Sequence, residues 1–384
     1  MENFDFNFWW SMEAMKYYSF TAAYKGNKQA KARELVMSEK YIGSRKMDGA
    51  WNMIIKDMNG IFHMRSRTAG VGGGFVDKAE WVPHIIKELN NIPNGTVLIG
   101  EIYFPDDEGS RKVTSVLNCL KDKCLDRQAK GKYLHYYVFD VLAYRGKSLI
   151  DTPIKERIET YLNYELFDVL KDNDYIEMAN YVRGQALWDL YEETLAAGGE
   201  GIVITREDCT YLCGKKKAWM TLKMKQELAD PVDAFLDGKY QMATRLYSGK
   251  EIATWSFWEN PKTGEKFNTC KFDEYSTGAS AVEPISKAYY YGWATRVSFS
   301  VMKDGQPYHI GWISGITDQL KEEIITKPEK WKGKVAELNA MQLEHIDGHY
   351  SFRHARIKQW RDDKAPEDCS FSQITDLFSL KAQS

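Results

Sequence analysis

Apolar positions along this chain follow two rhythms, and the change comes near residue 231. Over residues 11 to 39 they recur at helical spacing, with Met12, Met15 and Tyr18 followed by Ala30, Ala32, Leu35 and Val36, and predict helix. YIGSRKMDGAWN (41–52) then reads as a strand carrying a short turn, Lys46-Met47-Asp48-Gly49. NMIIKDM and IFHMRSR flank Asn59-Gly60, the pattern of a hairpin. TVLIGEIYF (96–104) and YLHYYVFDVLAY (133–144) are apolar enough to be buried strands. TPIKERIETYLNYELF, with Pro153 near its start, and GQALWDLYEETLAAGG, closed by Gly198-Gly199, predict helices. EGIVIT and WMTLKMK add two strands. Interleaved strands and helices imply an α+β domain over residues 1–231.

Beyond it, ATWSFW, NPKTGEKF and YGWATRVSFSVMKDGQPYHIGWISG are strand-like runs among turn residues, interrupted by one helix, ITDQLKEEIITKPE. Short strands around one helix suggest a small all-β barrel over 238–384, with 232–237 as a linker. The stretch 247–283 is longer than a compact barrel needs and reads as a clamp loop or as decoration.

A length of 384 residues suits two such domains, and 43% hydrophobic with 28% charged residues is ordinary for a soluble protein. No apolar run approaches the roughly 18 residues of a membrane span. The opening MENFDFNFWWSMEAMKYY lacks the basic start of a signal peptide. Six scattered cysteines suggest reduced thiols in a cytoplasmic compartment. The spacings of Cys119 with Cys124 and of Cys209 with Cys213 are not those of common zinc sites. A net charge of −2 argues against a polyanion-binding surface over the whole molecule. It leaves room for a local basic groove, built from Lys215 to Lys217, Lys223 and Lys225, or from Arg353, Arg356, Lys358 and Arg361.

Strand alternation puts Trp219, Thr221, Lys223 and Lys225 on one face of WMTLKMK, with Met220, Leu222 and Met224 on the other. Glu101 interrupts a strand that should be buried, and Glu200 stands at the mouth of another. Carboxylates there are costly unless paired or binding something. Internal Glu–Lys ion pairs and a ligand site both satisfy that demand.

Read in order, the chain offers Lys46-Met47-Asp48-Gly49, Ser66-Arg67-Thr68, Gly100-Glu101, Val138-Phe139-Asp140-Val141, Glu200-Gly201-Ile202-Val203-Ile204, Leu222-Lys223-Met224-Lys225 and Arg361-Asp362-Asp363-Lys364. This series resembles the covalent nucleotidyltransferase superfamily of ATP-dependent DNA ligases, RNA ligases and mRNA capping enzymes. Each element is weak alone; the ordered set is specific. SFRHARIKQWRDDKAPED is most similar to the end of DNA ligases, on their oligonucleotide-binding (OB) barrel. The resemblance therefore implies an α+β nucleotidyltransferase (adenylation) domain followed by an OB-fold barrel. It also implies an ATP-dependent DNA ligase of the minimal kind found in phages, viruses and some bacteria, with no DNA-binding domain in front.

The resemblance also implies roles. Lys46 would attack the α-phosphorus of ATP and hold AMP, with Lys223, Lys225 and Mg²⁺ (or Mn²⁺) lowering its pKa and clamping the phosphates. Glu101 is expected near the ribose and, with Glu200, at the metal, where carboxylate oxygens suit a hard cation. Phe139 is expected on adenine, against its other reading as a core aromatic. Asp48 would serve strand joining, and Arg67 would meet the nick's 5′-phosphate with its forked guanidinium. Arg361, Asp362 and Lys364 would close over ATP and orient pyrophosphate, with Asp363 as a spacer; the barrel would then swing to grip DNA. The expected partner is nicked duplex DNA, with RNA in one strand left open, and a monomer suffices.

Two positions depart from the family pattern. Trp51 stands where an arginine usually follows the glycine, so a phosphate contact is lost, replaced by stacking or supplied by Arg45. Ser44 stands where many ligases carry glutamate, which loosens the choice of adenine over guanine. An RNA ligase or an RNA-capping guanylyltransferase would use the same lysine, and a binding module would have lost its chemistry. GVGGG (70–74) lacks the Lys-Ser/Thr of a nucleotide-binding P-loop and reads as a turn. His345, His349 and His354 sit in a turn-rich stretch without a carboxylate pattern.

Overall fold

A computed structural model describes residues 4–23, 26–69, 74–105, 109–227, 230–247, 254–269, 282–340, 342–346 and 348–382. Residues 70–73 of the glycine-rich turn and much of 247–283 lie outside the described residues. The chain divides into two compact units, Met1–Gln226 and Glu227–Ser384.

The strands of the first unit are β1 (Tyr18–Ala23), β2 (Tyr41–Arg45), β3 (Ala50–Lys56), β4 (Phe62–Ser66), β5 (Thr96–Tyr103), β6 (His135–Tyr144), β7 (Lys147–Ser148), β8 (Ile176–Met178), β9 (Gly201–Arg206) and β10 (Thr221–Glu227). They form two sheets, one in the order β1-β10-β9-β2, the other β4-β3-β5-β6-β7 with β8 parallel to β6. The second sheet is buried on both faces. Ile54, Leu98, Val138 and Val141 face one core, and Met53, Ile55, Val97 and Ile99 face another with Trp9, Met12 and Met15. Hence β3, β5 and β6 read as near-continuous apolar runs.

The helix expected over 11–39 is corrected to a helix at Phe6–Ser11, strand β1 and a helix at Asn27–Met37. Met12, Met15 and Tyr18 fit a helical period by chance. Met12 and Met15 are buried beside Trp9, and Tyr18 begins a strand that pairs with the edge of β10. The predicted hairpin forms between β3 and β4, with Asp57 accepting from the Asn59 and Ile61 N–H groups in its loop. Ile154–Glu156 winds on into Arg157–Glu165 with wider π-type turns, and Gly184–Ala196 forms the second predicted helix. No helix among the described residues is long and apolar enough to cross a membrane.

In the second unit the strands are β11 (Val232–Met242), β12 (Phe257–Glu259), β13 (Lys266–Asn268), β14 (Glu283–Pro284), β15 (Ala294–Lys303), β16 (Gln306–Ile313), β17 (Val335–Asn339), β18 (Gln342–Ile346), β19 (His349–Arg353) and β20 (Arg356–Trp360). An antiparallel sheet runs β16-β15-β11-β17-β20, and β18 pairs with β19. Residues 232–237, expected as a linker, are instead the start of β11, whose Val232 and Ala234 are core. The helix Asp318–Thr326, capped by the Thr317 hydroxyl, adds Leu320 and Ile324 to that core. The described parts of 247–283 include the small sheet β13-β12-β14, in which Arg245 holds Glu259 and Glu283.

Candidate active site

Two cross-strand rows build one wall each of a cleft of about 1060 Å³ in the first unit. Ser44, Val203 and Lys223 lie in register across β2, β9 and β10. Trp51, Glu101 and Tyr137 lie in register across β3, β5 and β6. All six line the cleft, and Lys46 stands in the turn that carries the chain from one sheet to the other. The alternation expected along WMTLKMK holds from Thr221 onward, where Leu222 and Met224 are fully buried while Lys223 faces the cleft; Trp219 (φ 63°) and Met220 instead lie in the turn before β10, and Met220 packs on a different core.

The turn is shaped by glycine. A Cβ on Gly49 would stand 2.2 Å from the Ile102 carbonyl oxygen and 2.8 Å from Glu101 Cγ. Gly201, with φ of 121° and Met224 O at 2.1 Å from a built Cβ, admits nothing larger either. That closeness brings the Lys46 N–H to Gly201 O at 2.8 Å and sets Glu200 beside Lys46.

Glu200 bridges two ammonium groups, Lys46 through one carboxylate oxygen and Lys225 through the other, and its side chain is 5% exposed. Burial would raise its carboxyl, but the two lysines hold it below the usual range. Glu101 is raised, because burial outweighs the pull of Lys46 and the Gly49 N–H. Burial alone would lower Lys46; Glu101, Glu200 and Asp48 together raise it. The expectation that Lys223 and Lys225 lower the Lys46 pKa is therefore corrected for the protein alone, where carboxylates dominate. Lys223, by contrast with Lys46, moves down, to about 8, through burial and the charges of Lys46, Lys225 and Arg67. Its ammonium also lies 5.7 Å from the Tyr17 ring centre.

Phe139 occupies a bulge in β6. Ile99 pairs with Asp140 and Gly100 with Val138, leaving Phe139 between them and turned into the cleft. Its carbonyl accepts from the Tyr181 hydroxyl at 2.7 Å. Ser44, in the usual glutamate position, is buried and lines the cleft with Tyr137 and Tyr181. Tyr17, Tyr137 and Tyr181 were missed by sequence reasoning. Only Tyr137, two residues before Phe139, carried a signal there. Trp51 lines the cleft as a ring, with the Arg65 guanidinium 5.7 Å from its centre. Arg45, offered as the substitute cation, pairs with Glu177 at 3.4 Å. Arg67 donates to Met15 O at 3.1 Å and lines the cleft, and Asp48 lies beside Gly109. Ser66, Lys78, Asn118 and Cys119 extend it.

Arg361, Asp362 and Lys364 belong to the second unit. Arg361 and Lys364 both hold Asp233, and Asp362 pairs with Lys334 at 2.6 Å. Asp363, expected as a spacer, grips Arg361 with two hydrogen bonds of 2.8 and 2.7 Å. No group of three or more His, Cys, Asp or Glu that could hold a metal exists among the described residues. Two carboxylates remain, Glu101 and Glu200, a donor set that suits Mg²⁺ or Mn²⁺ completed by substrate phosphates and water.

The sequence model of the ATP dependent DNA ligase domain matches residues 22–225. DNA ligases of Acidianus ambivalens and Saccharolobus solfataricus are each 23% identical, over 85% and 87% of this chain but 52% and 54% of their own. The chain thus spans about half the length of these curated relatives. Two solved structures share the fold. Pmar-Lig_Pre, at 19% identity and TM-score 0.53, is matched over 89% of this chain and 68% of its own. A Lig E DNA ligase, at 13% identity and TM-score 0.50, is matched over 90% and 99%. With more than half of its residues matched by that domain, Lys46, Glu101 and Lys223 lining one cleft, and Glu200 bridging Lys46 and Lys225, the chain belongs to the ATP-dependent DNA ligase domain family.

Proposed function

We propose that the chain is an ATP-dependent DNA ligase, sealing 5′-phosphate/3′-hydroxyl nicks in duplex DNA through AMP carried on Lys46, and that its second unit is an OB-fold. The observation that carries this reading is Lys46 itself. It is a half-buried amine held by Glu200 beside a cleft lined by aromatic rings and by Lys223.

The rings of Phe139, Tyr137 and Tyr181 suit a purine base, and the cations suit its phosphates. Lys46 gives up a proton, its Nζ bonds to the α-phosphorus, and the bond to the bridging oxygen breaks to release pyrophosphate. Lys223 and Lys225 hold the phosphate oxygens as negative charge develops. Glu101 and Glu200 would hold Mg²⁺ or Mn²⁺, which when bound supplies positive charge against pyrophosphate. AMP then passes to the nick's 5′-phosphate, held by Arg67, as the P–N bond breaks. The 3′-oxygen attacks that phosphate and AMP leaves, with Asp48 assigned to this step. Arg361, Asp362 and Lys364 are assigned to adenylation by their place in the sequence pattern.

The test is label transfer. With α-phosphate-labelled ATP and Mg²⁺ the chain is expected to take label, Lys46→Ala to take none, and a nicked DNA duplex to discharge the label into sealed product. Label from GTP alone, or discharge by RNA ends alone, would overturn the assignment.

A further inference from the structure

Two lysines of the cleft, Lys78 and Lys123, have no part in this account, and Lys78 is the more buried. Lys78 lies half-buried on the wall formed with Ser66, Asn118 and Cys119. Its ammonium donates to Asn118 Oδ1 at 2.6 Å and to Ser66 Oγ at 3.4 Å, both neutral. Burial pulls its pKa down against a smaller opposing effect of the Cys124 and Cys119 thiols, and no carboxylate pairs with it among the described residues. Burial in turn pushes the Cys124 thiol up to about 11, so it is neutral at pH 7. A desolvated cation without a carboxylate is costly, and an incoming anion removes that cost. The other cations lining this cleft, Arg67, Lys123 and Lys223 among them, add to the same positive field.

The lysine is also held in place. Its N–H donates to Met64 O at 2.7 Å, and Asp77 accepts from the Met64 and Ala79 N–H groups at 3.0 and 3.1 Å. The turn carrying Asn118 is tied down where the Trp81 indole donates to Cys119 O at 3.0 Å. Ser66 continues the link to Asn52 Oδ1 at 3.2 Å, on the strand that follows the Lys46 turn. Ser66 is next in the chain to Arg67.

We propose that Lys78, positioned by Asn118 and Ser66, binds a backbone phosphate of the nicked polynucleotide and acts after Lys46 has been adenylated. This rests on the ligase reading. Lys78→Met is compared with the intact chain for label uptake from ATP, for sealing, and for binding to a nicked duplex lacking its 3′-hydroxyl, between about 50 and 200 mM salt. Label on Lys46 is expected to persist while sealing falls at least tenfold. The slope of log affinity against log salt is expected to flatten by about 0.9, the signature of one lost phosphate contact. Lys78→Arg should restore both. An unchanged slope overturns the proposal, and so does label uptake that falls as far as sealing, which would place Lys78 at the nucleotide. Failure of the intact chain to take label would overturn the ligase reading instead, while the salt slope would still decide the phosphate contact.

Discussion

Asp140 follows Phe139 in β6 and points away from the cleft, where its two oxygens accept from Arg157 Nε and Nη2 at 2.8 Å each. The side chains are 3% and 1% exposed. In Asp140→Asn the guanidinium keeps its charge and loses the opposite one in a place water does not reach. Breaking one side of a buried pair costs about 3–5 kcal/mol. Arg157 keeps its hydrogen bond to Thr152 O, which puts the expected loss near the lower end, about 3 kcal/mol. For a unit spanning Met1–Gln226, each kcal/mol moves Tm by about 2–4 °C, so Tm should fall by about 6–12 °C. Arg157→Met should cost a similar amount. The double variant Asp140→Leu/Arg157→Met should recover most of it, because no charge is left buried alone. Thermal and urea unfolding followed by circular dichroism measure all three variants. A single-variant loss under about 1 kcal/mol, or losses that simply add in the double variant, would refute the reasoning. Because the pair anchors the residue beside the bulge, Asp140→Asn should also weaken ATP binding at Phe139.

Gly49→Ala meets the backbone of β5 and should cost about 1–3 kcal/mol. The displaced lysine turn should lower label transfer to Lys46 by about a hundredfold; near-normal labelling would show that the turn can give way. Glu200→Gln removes one of the carboxylates that hold the Lys46 proton, so Lys46 should titrate at lower pH, as read by NMR of reductively methylated protein. Lys223, pulled down to about 8, is half neutral at pH 8. Phosphates favour its charged form, so ATP should bind with proton uptake near pH 8 and lose affinity as pH rises above it. Calorimetry in buffers of different ionisation enthalpy measures that uptake, and proton release would contradict it.

Composition and strand alternation by themselves determined two domains and a face of lysines on β10. The ordered short motifs marked Lys46, Glu101, Glu200 and Lys223 as one site, because glycine at Gly49 and Gly201 leaves a local trace that any tight approach of backbone requires. Helical spacing misled over 11–39, since three apolar residues fit a period of 3.6 as easily as they fill a core beside an edge strand. Residues 232–237 looked like a linker for the opposite reason: Pro231 and two aspartates hid a strand whose partners lie far along the chain. Only the tertiary structure decided the rest. The bulge that turns Phe139 inward, the rings from Tyr17 and Tyr181, the neutral cradle of Lys78 and the grip of Asp363 on Arg361 all depend on contacts between distant segments. So does the sign of the Lys46 shift. Charge types are written in the sequence, but which charge outweighs which is set by distance and burial, and these exist only once the chain has folded.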